Sequence, residues 1–120
     1  MKKHIKSFRN ALDGLGWTFS TQRNFRVHFT LSVLSLVAGW FFHISNGEFL
    51  VIFVLIIMGL VIETINTAIE ETIDAIHKDW SSAIKIAKDV SAASMLLFAI
   101  GATLIAAYIF IPKILLFLGL

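Results

Sequence analysis

The chain has 120 residues, of which 58% are hydrophobic and 15% charged, whereas a soluble domain is about half apolar and a quarter charged. Long apolar runs and a mean hydropathy of +0.84 argue against an ordinary soluble domain and indicate an integral membrane protein. The absence of cysteine excludes a disulfide framework, a thiolate metal site and thiol redox chemistry.

The first predicted element is an amphipathic helix over about residues 3–22. Its apolar residues recur at spacings of three and four, which places them on one stripe of a helix: Ile5, Phe8, Leu12, Leu15 and Phe19. Such a helix, with basic flanks, is typical of the membrane interface. Six basic residues precede the first apolar run, and the positive-inside rule therefore places the N-terminus in the cytoplasm: Lys2, Lys3, Lys6, Arg9, Arg23 and Arg26.

Three apolar runs then predict three transmembrane helices. Residues 27–44 contain no formal charge and are long enough to cross once. A tight turn at 45–48 leads into a second span at 49–69, which returns to the cytoplasmic side. Residues 75–88 carry three lysines and belong in the cytoplasm.

The third span covers residues 90–111, and Pro112 is expected to end it. Ser81 or Ser82 is a plausible N-cap for the helix that contains this span. The C-terminus should lie outside. No repeat or linker interrupts the chain, so the sequence predicts one all-α membrane domain over 1–120.

The second span carries polar side chains toward its cytoplasmic end. Glu63, Asn66, Glu70 and Asp74 fall within a sector of about 80° at 100° per residue, and we call these four residues the polar face. Glu63 lies roughly 9 Å short of the cytoplasmic edge of a hydrocarbon core of about 30 Å. An acidic residue deep in a span costs on the order of 2.5–3.5 kcal/mol, which suggests a functional reason for it.

The polar face suggests transfer of a phosphate group to a lipid at the interface. Glu63 would be the general base for a lipid hydroxyl, and Glu70, nearer water, is placed to hold a hard cation such as Mg²⁺. Lys88 and Asp89 end the cytoplasmic segment at comparable depth, where Lys88 could neutralise phosphate charge. Phosphoryl transfer needs alignment, charge neutralisation and a group that takes the proton.

Other interpretations of these residues stay open at this stage. Glu63 could be a carboxyl group paired between helices, and Lys88 could simply mark the inner membrane boundary. A proton-coupled transporter using Glu63 as its carrier is a second possible function. A structural or regulatory membrane subunit, in which the polar face only associates helices, is a third.

Four motifs resemble the small bacterial lipid kinases, the three-span diacylglycerol kinase and undecaprenol kinase family. They are ETINTAIEETID at 63–74, AKDVSAA at 87–93, SFxxALxGL at 7–15 and NFRVH at 24–28. The resemblance implies a homotrimer in the bacterial cytoplasmic membrane that uses Mg-ATP. No nucleic-acid partner is expected, because the positive-inside rule better explains basic residues beside a membrane span. The NFRVH motif is similar to the Gram-positive-type branch, which implies undecaprenol as the acceptor and diacylglycerol as the alternative.

By the same resemblance, Glu63 is the expected catalytic base and Glu70 a metal ligand. Lys88 and Asp89 are expected in the nucleotide site. Two further residues of the polar face are expected to support the site: Asn66 and Asp74.

Gln22 is the departure from the family pattern. The family typically has a second metal-binding glutamate just before the NFR-type motif, and Gln22 occupies that position here. A glutamine offers a carbonyl oxygen but no charge. We therefore assign Gln22 to the metal and nucleotide site, with altered metal occupancy or nucleotide affinity as the expected consequence.

Overall fold

The structure, a computed structural model, describes residues 2–120, and side chains from residue 3 onward, so the first residue of the domain expected over 1–120 lies outside it. The described part of the chain contains four helices: α1 Lys2–Thr21, α2 Arg23–Phe41, α3 Asn46–Ile76 and α4 Ser82–Phe117. The all-α prediction is confirmed. The helices form a flat arrangement whose Cα extents are 57 × 44 × 21 Å.

The elbow between α1 and α2 is held by an arginine. Gln22 interrupts the helices with an extended backbone (φ −93°, ψ 114°). Nη1 of Arg26 donates to the carbonyl oxygens of Phe19 at 3.1 Å and Ser20 at 2.8 Å. These carbonyls belong to the last turn of α1 and have no partner within that helix, so the guanidinium satisfies them and complements the helix dipole. The sequence prediction of an amphipathic helix at 3–22 is confirmed to within one residue at each end.

The predicted first span was wrong at its C-terminal end. α2 stops at Phe41, and His43 adopts a positive φ of 51°. The N–H of Ile44 then donates to the carbonyl of Gly39 at 3.0 Å. The Ile44 side chain packs directly against the backbone of α2 here, because a Cβ at position 39 would lie 2.8 Å from Cδ1 of Ile44.

The shortened α2 differs from the two later helices in its apolar length. Its uncharged helical part, 27–41, spans roughly 22 Å at 1.5 Å per residue, against a hydrocarbon core of about 30 Å. Within residues 2–120, two helices are long and apolar enough to cross a membrane, namely α3 and α4. A membrane crossing by α2 therefore stays a prediction.

The predicted turn at 45–48 was wrong, because three of its residues open α3. Ser45 is the N-cap, and its Oγ accepts from the N–H of Glu48 at 3.2 Å. The carboxylate of Glu48 accepts in turn from the N–H of Ser45 at 2.7 Å. This reciprocal capping box satisfies two N–H groups at once, so the helix starts immediately after Ser45 and continues for 31 residues.

α4 begins as predicted but does not end at the proline. Ser81 is the N-cap, accepting from the N–H of Ile84 at 3.2 Å. The helix passes through Pro112 and ends at Phe117, so the expected stop was wrong. The ring of Phe117 packs edge-on against Phe41 and Phe42, with centroids 5.6 and 6.0 Å apart. Packing of the last turn against α2 offsets the hydrogen bond that proline cannot donate.

α3 and α4 form an antiparallel pair whose contacts follow one register. From the end with the capping box to the other end, the pairs in contact are Glu48 with Lys113, Ile52 with the core that contains Ile109, Gly59 with Phe98, Asn66 with Ser91, and Asp74 with Lys88. The Glu48–Lys113 ion pair has an N–O distance of 3.0 Å. Polar contacts therefore close both ends of an interface whose middle is apolar.

Many large apolar side chains point outward from the helices. Leu50, Leu97 and Leu104 are 64%, 72% and 66% exposed. On α1 the exposed apolar residues include Ile5 and Phe8. Apolar surface on this scale needs a bilayer or a partner subunit to cover it.

Candidate active site

Glu63 lies on α3 between Gly59 and Asn66, both of which contact α4. The residue is 2% exposed, and its Oε2 is buried without a hydrogen-bond partner among residues 2–120. The three residues that precede it on the same face of α3 are apolar or small: Ile52, Ile56 and Gly59. A buried carboxyl oxygen without a partner is rare and calls for an explanation, such as a role in chemistry.

Asn66, one turn further on, is held in place from α4. The hydroxyl of Ser91 donates to Oδ1 of Asn66 at 2.7 Å, and both residues are buried. Nδ2 of Asn66 donates in turn to Oε1 of Glu70 at 3.3 Å. The amide therefore links a fixed point on α4 to the carboxylate of Glu70, which is partly exposed.

The two candidate residues of α4 have different surroundings. Lys88 reaches the polar face, where its Nζ forms an ion pair with Asp74 rather than with Glu70. Asp89 is exposed and pairs with Lys85, four residues earlier on its own helix. The structure therefore joins Lys88 to the polar face and leaves Asp89 at the surface beside it.

Gln22 is not joined to the polar face by any hydrogen bond within the described chain. It is partly buried at the elbow between α1 and α2, and its Nε2 donates to Oγ1 of Thr21 at 3.3 Å. Its side chain makes no capping bond to α2. Its carbonyl oxygen therefore remains the group that it can offer to a metal or nucleotide.

Ser91 is the site residue that sequence reasoning missed. It was given no role in the site from the sequence, although its spacing from Lys88 provides the signal. Residues three apart share a helix face, so Ser91 follows Lys88 on the side of α4 that meets α3. Two further buried polar residues were not assigned either: Thr18 and Thr67.

Two apolar grooves run alongside α3. The first, here called the central groove, lies between α2, α3 and α4, measures about 440 Å³ and includes Gly59, Leu60 and Phe98 in its lining. The second, the lateral groove, lies between α1, α2 and α3, measures about 690 Å³ and includes Phe19 and Thr64. Glu63 lines neither groove, although both reach the turn of α3 that precedes it.

The donor atoms present would suit a metal that arrives with phosphate. Within residues 2–120 no cluster of three or more His, Cys, Asp or Glu side chains is arranged to hold a metal. Mg²⁺, however, is usually bound by one or two carboxylates together with substrate phosphates. Glu70 is partly exposed and held by Asn66, so it can supply one such carboxylate.

Comparison with known proteins decides the family. The model of the prokaryotic diacylglycerol kinase family matches residues 9–110. The chain belongs to this family. The family match confirms the resemblance seen in the sequence and the expected enzyme class, a membrane-associated kinase, and it argues against the transporter and structural-subunit alternatives.

Two relatives are similar to this kinase along most of its length. It is 35% identical to the undecaprenol kinase of Bacillus subtilis (strain 168) over 114 residues, which cover 95% of this chain and 93% of that protein. It is 33% identical to the diacylglycerol kinase of Synechocystis sp. over 112 residues, or 92% of this chain and 64% of that protein. The chain therefore spans nearly the whole of the first relative but less than two thirds of the second.

Proposed function

We propose that this protein transfers the γ-phosphate of Mg-ATP to the hydroxyl group of a lipid alcohol, with undecaprenol as the acceptor. The observation that carries the proposal is the buried carboxylate of Glu63, whose Oε2 has no hydrogen-bond partner among residues 2–120, where an apolar interface becomes polar. The similarity to an undecaprenol kinase along nearly the full length of both chains supports this choice of acceptor.

In the proposed mechanism Glu63 takes the proton of the lipid hydroxyl as that oxygen attacks the γ-phosphorus of ATP. The bond between this phosphorus and the β–γ bridging oxygen breaks, and ADP leaves with the electron pair. The hydroxyl must come within about 2.6–3.2 Å of the carboxylate for this transfer. Burial of Glu63 keeps water away from the carboxylate, which suppresses transfer of the phosphoryl group to water instead of the lipid.

The remaining site residues would handle the charge of the nucleotide. Glu70, oriented by Asn66, would hold Mg²⁺, which when bound neutralises phosphate charge. Lys88 would exchange its ion pair with Asp74 for a phosphate oxygen, and Asp89 would contact the nucleotide from the surface. Gln22 would complete the metal and nucleotide site with its carbonyl oxygen.

The proposed assembly is a homotrimer of a single domain over 1–120 with three membrane spans. α2, α3 and α4 would cross the cytoplasmic membrane of a bacterium, α1 would lie on its inner surface, and the C-terminus would lie outside. The outward apolar side chains of these helices support contacts with lipid and with neighbouring subunits. The short apolar length of α2 is compatible with a span that is shielded by other subunits.

The proposal is tested by phosphorylation of defined lipids with Glu63→Gln. Purified protein in mixed micelles receives labelled ATP, Mg²⁺ and either undecaprenol or diacylglycerol, and the lipid product is identified. Loss of a general base lowers turnover by about 10²–10⁴-fold. Glu71→Gln is the matched control, because Glu71 is the exposed neighbour of Glu70 and should retain activity. Wild-type turnover in Glu63→Gln would remove Glu63 as the base.

Diacylglycerol remains the second candidate acceptor. The identity to the Synechocystis diacylglycerol kinase, 33%, is close to the 35% found for the undecaprenol kinase. The ratio of kcat/KM for the two lipids decides between them, and a ratio in favour of diacylglycerol would replace undecaprenol in the proposal.

A further inference from the structure

We propose that Phe98 is a specificity-determining residue, whose ring closes the end of the central groove next to Glu63 and admits alcohols carried on a single slender chain. This inference rests on the proposed function and names which feature of the lipid acceptor the site selects. An acceptor whose hydroxyl belongs to a glycerol bearing two acyl chains would be excluded by the same ring.

The ring of Phe98 fills the space beside a buried glycine. A Cβ at Gly59 would lie 2.7 Å from Cε1 and 2.9 Å from Cζ of Phe98. The ring therefore packs directly against the backbone of α3, in the space that a side chain at position 59 would occupy. Both residues line the central groove, so the ring forms part of its wall.

The register of α3 and α4 places this ring about one helical turn from Glu63. Glu63 follows Gly59 by four residues, which is one turn and about 6 Å along the same face. Across the interface, Phe98 contacts Gly59 and Ser91 contacts Asn66. Glu63 thus lies at the next level beyond the Phe98 ring, and it does not line the groove.

Phe98 therefore lines the central groove at its end nearest Glu63, together with His28 and Leu60. Oε2 of Glu63 is buried and without a partner among residues 2–120, so the carboxylate is available once the ring turns aside. Aromatic rings turn about two side-chain torsions. The space released would be about the width of the ring, which suits a single hydrocarbon chain ending in a hydroxyl.

Two serine side chains on the α2 side of the groove favour the same kind of acceptor. Ser32 donates its hydroxyl to the carbonyl of His28 at 2.7 Å, and Ser35 donates to the carbonyl of Ser32 at 2.8 Å. These two hydroxyl hydrogens are thus occupied by the backbone of α2. Ester carbonyls of a diacylglycerol would lose water there without gaining a donor from either serine, whereas a polyprenol has no ester to desolvate.

The test compares kcat/KM for undecaprenol and for diacylglycerol in mixed micelles. Phe98→Ala should shift the ratio toward diacylglycerol by at least about tenfold, the discrimination expected for a change of apolar volume in a pocket. Gly59→Ala should push the ring into the groove and raise KM for undecaprenol without raising KM for Mg-ATP. Leu97→Ala is the control, because Leu97 is 72% exposed and absent from the groove, and it should leave the ratio unchanged.

Circular dichroism and size-exclusion chromatography establish that each variant is folded. If Phe98→Ala does not fold, Phe98→Leu and Gly59→Ala decide, since both keep the interface filled while altering the ring or its position. An unchanged lipid ratio in folded variants would overturn the inference and point to entry through the lateral groove. That outcome leaves the proposed function standing, whereas absence of transfer to either lipid by wild-type protein overturns both.

Discussion

Replacing Ser91 by alanine removes a hydrogen bond that joins α4 to the polar face of α3. The Ser91 hydroxyl donates to Oδ1 of Asn66 at 2.7 Å, and the two residues are 7% and 6% exposed. Without the hydroxyl, Oδ1 remains buried with its only described donor gone. The Asn66 amide would also be less firmly oriented toward Glu70.

Two general ranges limit the loss in free energy of unfolding that this change can cause. Leaving a buried acceptor unsatisfied costs about 1–3 kcal/mol in proteins generally. Hydrogen bonds between transmembrane helices average about 0.6 kcal/mol and reach about 1.7 kcal/mol. The overlap of these ranges predicts that Ser91→Ala destabilises the α3–α4 pair by about 1–1.7 kcal/mol. Because Glu70 loses the support of Asn66, KM for Mg-ATP should rise as well.

The assay is reversible unfolding in mixed micelles, followed by far-UV circular dichroism. Ser94→Ala is the matched control, because the Ser94 hydroxyl donates within its own helix to the carbonyl of Ser91. It should change the free energy of unfolding by less than about 0.5 kcal/mol. A double-mutant cycle with Asn66→Ala measures the coupling directly. Equal effects of the two serine variants, or a coupling energy below about 0.3 kcal/mol, would refute the proposed role of this bond.

Three further changes test the elbow, the candidate metal ligand and the start of α3. Gln22→Glu should lower KM for Mg-ATP, since it adds the charge that the family pattern has at this position; an unchanged KM would argue against a metal role there. Arg26→Ala should speed amide hydrogen exchange in α1, because the last α1 carbonyls lose their donor. Arg23→Ala is the control and should leave the exchange rate unchanged. Equal exchange rates in the two variants would contradict the role given to Arg26. Ser45→Ala should destabilise the protein by about 1 kcal/mol through loss of the N-cap, and a similar loss in Asn46→Ala would speak against the capping box.

Local sequence signals predicted α1 and the N-cap of α4 but failed at three helix ends. Ser45-Asn46-Gly47-Glu48 has turn composition, yet the same serine and glutamate form a capping box. Pro112 commonly ends a helix, yet Phe117 packs against α2 and α4 continues. At these positions a local preference and a tertiary contact compete, and the contact decides.

Within the candidate site, the sequence predicted which residues share a face but not their partners. Glu63, Asn66, Glu70 and Asp74 follow the helical period along one continuous helix. Lys88, however, pairs with Asp74 rather than lying beside Glu70, and Asp89 turns to Lys85. A shift of one turn between two helices changes every cross-helix pair while leaving each helix face unchanged.

By itself, the sequence determined that the chain is a membrane protein, through its apolar composition. It also determined the helical period and the face of α3 on which the acidic residues lie, because these depend on residues close together in the chain. It also determined the family, through motifs that are read position by position. The tertiary structure alone decided the register of α3 against α4. That register depends on how closely the two helices approach each other. Here the ring of Phe98 packs against Gly59 at their interface. The register also places Ser91 against Asn66 and buries Glu63 at the level beyond the ring.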